Sequence, residues 1–308
     1  MSRREARGGP GGDVPLDGLA IAIFGPTASG KSAIAEAIAE IVAANVISAD
    51  AMQAYRGVPI LTNQPQRPTE LVAIWPLDHE GSVAEYQRLA HEAVDAALSQ
   101  GRTPIVVGGT GLYLRAALAD LELPPAPPSG ARERWERLYD RLGPEHTHAA
   151  LAERDPQAAL AVHPNDRRRV VRALELHEAG GSLAPPRDRL WSEETRHPTQ
   201  IFGLEVPKAV LEERIRERTE AMFERGVEEE VARALGAPVS RTASQIIGLR
   251  EIAELPSNEA VAAIALRTRR YAAYQRKWMR RIPSVQTVSA DRSAAETAAE
   301  VLARAHEA

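Results

Sequence analysis

The feature that most constrains this chain is an eight-residue stretch, Gly25-Pro26-Thr27-Ala28-Ser29-Gly30-Lys31-Ser32, which matches G-x-x-x-x-G-K-[ST] at every fixed position. Leu19 to Phe24, an apolar run of strand length, precedes it. Lys31 to Ala44 follows, with Ile34, Ala35, Ile38, Ile41 and Val42 at helical spacing. Glycines let the backbone curl so that its N–H groups converge on phosphate oxygens at a helix N-terminus. Lys31 adds a point charge for the terminal phosphate, and the Ser32 hydroxyl suits a Mg2+ ion. A ligand-free glycine-rich turn is disfavoured by the spacing and by the strand–loop–helix context. The motif does not name the phosphate compound, since the same cradle would grip a nucleotide or any other diphosphate.

Further strands follow at Asn45 to Ile47 and Pro104 to Val107, separated by a helix over Val83 to Leu98. Strand and helix in this rhythm predict an α/β fold, a P-loop NTPase-like core with a parallel sheet. The pattern breaks at the Pro-rich segment Leu123 to Gly130 and turns helical and strand-free from Ala131 to about Gly181. A second break at Ala184-Pro185-Pro186 precedes a return to the sheet at Gln200 to Val206. The division predicted is a loose tail over 1–18, the first part of the core over 19–122, a helical insertion over 123–199 and the completion of the core over 200–308. Helices at Lys208–Arg225, Val227–Leu235 and Asn258–Arg281, a strand at Val285–Ser289 and a closing helix belong to that last part.

Composition narrows the class. The chain has 308 residues, a length that suggests about two domains. With 44% hydrophobic and 26% charged residues it is globular, not disordered. No apolar run approaches the ~18 residues of a membrane span, and the opening residues lack the apolar centre of a signal peptide. Zero cysteines exclude a disulfide framework and fit a cytoplasmic enzyme. Since 38 Lys+Arg face 42 Asp+Glu, any nucleic-acid site must be a local patch.

Two more segments belong beside the phosphate loop. Ile47-Ser48-Ala49-Asp50-Ala51-Met52-Gln53 begins as a strand and ends polar, placing Asp50 at a strand's carboxyl end, where open α/β sheets bind ligands. Taken alone, Asp50 could equally be a helix cap. Val107-Gly108-Gly109-Thr110-Gly111-Leu112-Tyr113 stands likewise after the third strand. Its glycines are expected to let the backbone approach a ligand, with Thr110 supplying a hydroxyl.

Together these three segments resemble the tRNA dimethylallyltransferases, phosphate-loop proteins that prenylate the adenosine next to the anticodon. The resemblance continues through His163-Pro164-Asn165-Asp166 with Arg167, Arg168 and Arg169, then Arg214 to Arg218, Ile247-Gly248-Leu249-Arg250 and Thr268-Arg269. It implies that the loop, Gly25 to Ser32, holds the diphosphate of dimethylallyl diphosphate. Asp50 matches the family's general base, Thr110 a residue near the reacting adenine, and Arg132 a tRNA contact. The same resemblance puts Ala51, Met52, Gln53, Arg250, Arg269 and Arg270 with Asp50, Thr110 and the Arg167–Arg169 cluster on the tRNA side, Lys31 with the catalytic groups, and a Mg2+ ion on Ser32. A monomer is expected. The sequence departs from the family's pattern at Ala51, where a Ser is usual, and at Leu61-Thr62-Asn63-Gln64, where Gly-Thr-Ala-Lys is usual. It departs again at Gln245, Leu249 and Ala273-Tyr274, with basic residues lost at Gln64, Gln245 and Tyr274.

The stretch Arg267 to Arg281 holds seven basic residues and no acidic one, with Tyr271, Tyr274 and Trp278 on one helix face. The aromatics are expected to pack on the core and the arginines to meet an RNA backbone. His163 reads as a loop residue. Arg214 and Arg218, four apart, suit a phosphate-facing lid unless Glu212, Glu213 and Glu217 neutralise them. Three other functions stay open on the residues alone: a small-molecule kinase, an adenylate prenyltransferase acting on free nucleotide, and an NTP-gated RNA-binding module without chemistry.

Overall fold

The computed structural model describes residues 16, 18–123, 128, 130–184 and 189–307. The expected tail and the Pro-rich breaks fall largely outside them. The chain divides into two compact units, one of residues 1–119 with 193–308 and one of residues 120–192.

The larger unit opens with β1 (Ala20–Phe24), α1 (Lys31–Ile41), β2 (Ala44–Ser48), α2 (Val83–Ser99), β3 (Thr103–Gly108) and α3 (Gly111–Leu118). The smaller unit supplies α4 (Ala131–Leu142), α5 (Pro144–Arg154), α6 (Pro156–Ala161) and α7 (Arg167–Glu178). The larger resumes with β4 (Thr199–Glu205), α8 (Lys208–Glu224), α9 (Val227–Ala234), α10 (Leu249–Glu254), α11 (Ser257–Met279), β5 (Val285–Ser289) and α12 (Ala294–His306). Between β2 and α2 runs a long irregular stretch, residues 49–82, which meets the β2 edge of the sheet through a bridge between Ile47 and Glu70.

The five strands are all parallel, in the order β2-β3-β1-β4-β5. A parallel strand buried on both faces reads as an unbroken apolar run, as β1 (Ala-Ile-Ala-Ile-Phe) does, with every residue buried. Ile21, Ile23, Ile34, Ile38, Phe202, Leu204 and Val301 share one core. Truncating one such isoleucine to alanine would cost about 2–5 kcal/mol. The strand order fixes where a ligand must go. From β1 the chain turns toward β2 on one side, and from β3 it crosses to β4 on the other. The crevice at the carboxyl ends of β1 and β3 is therefore the topological switch point.

The smaller unit has its own core of Tyr139, Leu151, Val162, Val170, Val171 and Leu174. The Tyr139 hydroxyl donates to the Pro164 carbonyl at 2.7 Å. Asp166 caps α7 by accepting from the Arg169 N–H at 3.1 Å. His163 accepts from the Asn165 N–H through Nδ1, which makes it a turn residue as expected.

Candidate active site

The phosphate loop joins β1 to α1. Ala28 and Gly30 both take left-handed backbone conformations, with φ of 64° and 88°. Such turns point successive N–H groups inward as an anion nest. Ser29 is buried and its Oγ has no hydrogen-bond partner among the described residues. Lys31 Nζ lies over the loop and donates to the Pro26 carbonyl at 2.8 Å. Burial lowers the Lys31 pKa to about 8. Arg218 pushes it the same way, while Asp50 pulls it partly back. Arg218 is itself depressed by burial and donates to Thr27 Oγ1 at 2.9 Å, so α8 is tied to the loop.

A cavity of about 410 Å³ opens here. Lys31, Ser32, Arg214 and Arg218 border it, with Asp50, Met52 and Gln53 from the stretch after β2. Of the acidic neighbours of the two arginines, Glu213 pairs with Arg216 and Glu212 with Lys208. Asp50 Oδ1 accepts from the Met52 N–H at 2.9 Å, which fixes the carboxylate's rotation. Gln53 spans from Ser48 Oγ (2.9 Å) to the Asn63 carbonyl (2.9 Å). Ala51 is buried, so the contact expected there falls on an enclosed methyl. Gln64, which stands where the family has a lysine, donates to the Gln53 and Tyr55 carbonyls at 3.1 and 2.7 Å. The lost cation is replaced by a clasp on the loop.

One wall of the cavity was not legible beforehand. Ile264, Thr268, Tyr271 and Gln275, spaced four, three and four apart, form one stripe of α11 along it. Gln275 Oε1 accepts from the Thr27 N–H at 2.8 Å. The Tyr271 hydroxyl and Thr110 Oγ1 are 2.8 Å apart. Burial, with Asp50 adding to it, pushes Tyr271 up to about 12, so it is a neutral donor near neutral pH. The expectation that the aromatics of this helix pack on the core thus fails for Tyr271, which faces the cavity, and for Tyr274, which is 55% exposed. Trp278 packs against the backbone of Gly111, where a Cβ would meet its ring at 2.2 Å.

The glycines after β3 also meet the protein's own backbone and side chains. A Cβ on Gly108 would lie 2.3 Å from the Ala49 carbonyl oxygen, and one on Gly109 2.2 Å from Gln275 Nε2. The protein itself makes these close approaches, and Gly108 also borders the cavity. The missing side chains let β2 and α11 close around the site.

The basic residues divide sharply. Arg250 pairs with Glu254 and Arg267 with the nearly buried Glu251, each at 2.8 Å. In the smaller unit Arg167 forks onto Asp140 at 2.9 and 2.8 Å, and Arg132 reaches Glu136 and the buried Glu175. Arg269 and Arg270 are exposed and their side chains make no ion pair or hydrogen bond among the described residues, and the same is true of the side chains of Arg168 and Arg169. Neither Arg250 nor Arg269 nor Arg270 borders the cavity.

Comparison with known proteins fits this arrangement. A model of the IPP transferase family matches residues 53–282, and one described as isopentenyl transferase matches residues 19–72. A tRNA dimethylallyltransferase of Streptomyces coelicolor is 41% identical over 282 residues, which cover 87% of this chain and 89% of that protein. The chain belongs to the IPP transferase family. A tRNA dimethylallyltransferase of Salinispora arenicola is 40% identical, covering 87% of this chain and 81% of the relative. Among solved structures, the full-length tRNA isopentenylpyrophosphate transferase of Bacillus halodurans superposes with a TM-score of 0.66 at 30% identity, over 94% of this chain and 97% of that one. A eukaryotic dimethylallyltransferase at 24% identity has the same fold, with a TM-score of 0.72 over 88% of this chain and 74% of that one.

As for a metal, no group of three His, Asp or Glu among the described residues could hold one alone. Mg2+ needs only one or two protein oxygens when phosphate oxygens and waters complete its shell. The Ser32 hydroxyl, on the same cavity as Asp50, meets that requirement for an ion that arrives with a diphosphate. Among the described residues no helix is long and apolar enough to cross a membrane.

Proposed function

We propose that this chain transfers the dimethylallyl group of dimethylallyl diphosphate to N6 of the adenosine next to the anticodon of tRNA, releasing pyrophosphate. One observation carries the reading. A single cavity has a cationic phosphate end (Lys31, Arg218, the loop), the Asp50 carboxylate and the Tyr271 hydroxyl, which Thr110 meets from outside the lining, and an apolar remainder from Leu61, Met222, Ile246 and Ile264. A short hydrocarbon diphosphate has that charge distribution. A nucleoside triphosphate would leave the apolar part without a partner.

The adenine amine is a weak nucleophile that gains positive charge as its bond to C1 of the donor forms and the C1–oxygen bond to diphosphate breaks. Asp50, rotationally fixed by the Met52 N–H, accepts the N6 proton as that charge grows. Lys31, Arg218 and the loop N–H groups, Gly25 to Ser32, meet the negative charge developing on the leaving diphosphate. Mg2+ held by Ser32 and the diphosphate would supply further charge neutralisation. In this reading Tyr271, held by Thr110, meets the incoming base, and the target base must leave its stack to reach it. Arg269, Arg270, Arg168 and Arg169, which are exposed and whose side chains have no ion-pair partner among the described residues, are the RNA-backbone contacts of this reading. Arg132, Arg167 and Arg250 would first have to exchange a carboxylate partner. The enzyme acts in the cytoplasm as a monomer.

The test is transfer from labelled dimethylallyl diphosphate with Mg2+, offered unmodified tRNA and AMP side by side. Label in tRNA alone is expected. Label in AMP would move the acceptor to free nucleotide, and no label with tight ATP binding would overturn the reading in favour of a kinase-like use of the loop.

A further inference from the structure

The apolar end of the cavity has a built floor. The stripe on α11 orders the site along a single axis. Gln275 touches the phosphate loop, Tyr271 stands one turn away beside Thr110, and Ile264 comes last. At 1.5 Å per residue, Ile264 is about 10 Å beyond Tyr271 along the helix. At that end stands Leu61, 3% exposed, from the irregular stretch after β2.

Leu61 cannot readily move aside. Its N–H donates to Glu230 Oε1 at 2.8 Å, and the N–H of Ile60 donates to Oε2 of the same carboxylate at 2.9 Å. Glu230 is 2% exposed, so this two-point clamp is shielded from water. The side chain of Leu61 is equally confined. Gly248, at φ 101°, lies so close that a Cβ there would be 2.5 Å from Leu61 Cδ1, with Ile264 Cδ1 at 3.3 Å. Where the resembled family usually has a glycine, and so no side chain, this chain therefore places a pinned, branched one.

We infer that Leu61, backed by Gly248 and Ile264, is the residue that limits the length of the prenyl donor, closing the end of the cavity away from the phosphate loop. The inference rests on the prenyl-transfer reading above and adds its donor selectivity: allylic diphosphates of five carbons enter, and those of ten meet the Leu61 side chain. Hydrophobic pockets separate substrates differing by one methylene by about 10–200-fold, and a whole isoprene unit is a larger difference.

The experiment measures kcat/KM for transfer to unmodified tRNA from dimethylallyl and from geranyl diphosphate, in the wild type, Leu61→Ala and the volume-conserving Leu61→Met. The wild type is expected to favour the five-carbon donor by more than about 100-fold. Leu61→Ala should raise the geranyl-to-dimethylallyl ratio by about 10-fold or more, and Leu61→Met should hold it within about 3-fold. An unmoved ratio in Leu61→Ala would overturn the inference, as would a change confined to the KM for tRNA, which would put the base and not the prenyl chain against Leu61. Should Leu61→Ala fold poorly, Ile264→Ala at the same end must relax the ratio in the same direction, and equal ratios there would also overturn it. A wild type that prenylates no tRNA from either donor would instead refute the parent reading, so the two failures are distinct.

Discussion

Lys31 gives the sharpest prediction, because its charge is needed by the ligand and resisted by its surroundings. Its pKa is lowered to about 8 in the free protein, burial being the main cause. Dimethylallyl diphosphate should bind the protonated form, and the donor's own last ionisation, near ~6 for phosphate groups, is already complete above pH 7. The protonated fraction of Lys31 is then about 0.9 at pH 7, half at pH 8 and about 0.1 at pH 9. Donor affinity in the absence of tRNA should fall about tenfold from pH 7 to pH 9, or about 1.4 kcal/mol. Binding at pH 8 should draw in about half a proton per donor bound. Calorimetric titration at fixed Mg2+, in buffers of different ionisation enthalpy, measures both quantities, with no acceptor present to allow turnover. Lys31→Ala should bind more weakly and lose the pH slope. The sign for stability is opposite. The unfolded lysine keeps its proton to about 10.4, so between about pH 8 and 10.4 the unfolded chain binds more protons and the ligand-free protein gains stability as pH rises. An affinity that stays flat from pH 7 to 9, with proton uptake near zero, would refute the placement of Lys31 against the diphosphate.

Other expectations follow from the same geometry. Asp50→Ala should reduce single-turnover prenyl transfer by about 10²–10⁴-fold while donor affinity measured by titration stays within a few-fold, and near-normal turnover would remove Asp50 as the base. Neutralising Arg269 and Arg270 to glutamine should raise the KM for tRNA more than it lowers kcat and reduce the slope of log affinity against log salt by about 1–2, readable by filter binding. Glu230→Ala leaves the Ile60 and Leu61 N–H groups without their acceptor. It should cost about 3 kcal/mol, seen as a fall in Tm of about 6–12 °C. Gly109→Ala drives a methyl into Gln275 and toward the Gly25 carbonyl. It should cut transfer by separating α11 from the phosphate loop, with circular dichroism showing the fold retained.

Three features were legible because each is written in neighbouring residues. The phosphate loop is a contiguous spacing. The parallel sheet announces itself through doubly buried, unbroken apolar strands such as Ala20–Phe24. Asp50 and Thr110 fall just past strands of a parallel sheet, whose carboxyl ends share one edge with the loop, so their place on that edge followed from the strand pattern. Element ends shifted by a residue or a few, as at α11, expected from Asn258 to Arg281 and found over Ser257–Met279. The irregular stretch 49–82 was harder, because its order comes from scattered hydrogen bonds such as Gln64 to the Tyr55 carbonyl and has no period to read.

What the sequence determined by itself is the chemistry at the phosphate end: the nest, the lysine, the hydroxyl and a carboxylate at the next strand's end. Only the tertiary structure decided which surface of α11 faces that chemistry. The Thr27–Gln275 hydrogen bond joins residues 248 positions apart, and no local periodicity can say that Tyr271 points inward while Tyr274 points out. The same holds for charge. Arg267 and Arg269 look alike in the sequence, but Glu251 on α10 pairs with the first and no carboxylate pairs with the second among the described residues. An arginine's availability to a partner depends on what packs beside it, and distant parts of the chain supply those neighbours only once it has folded.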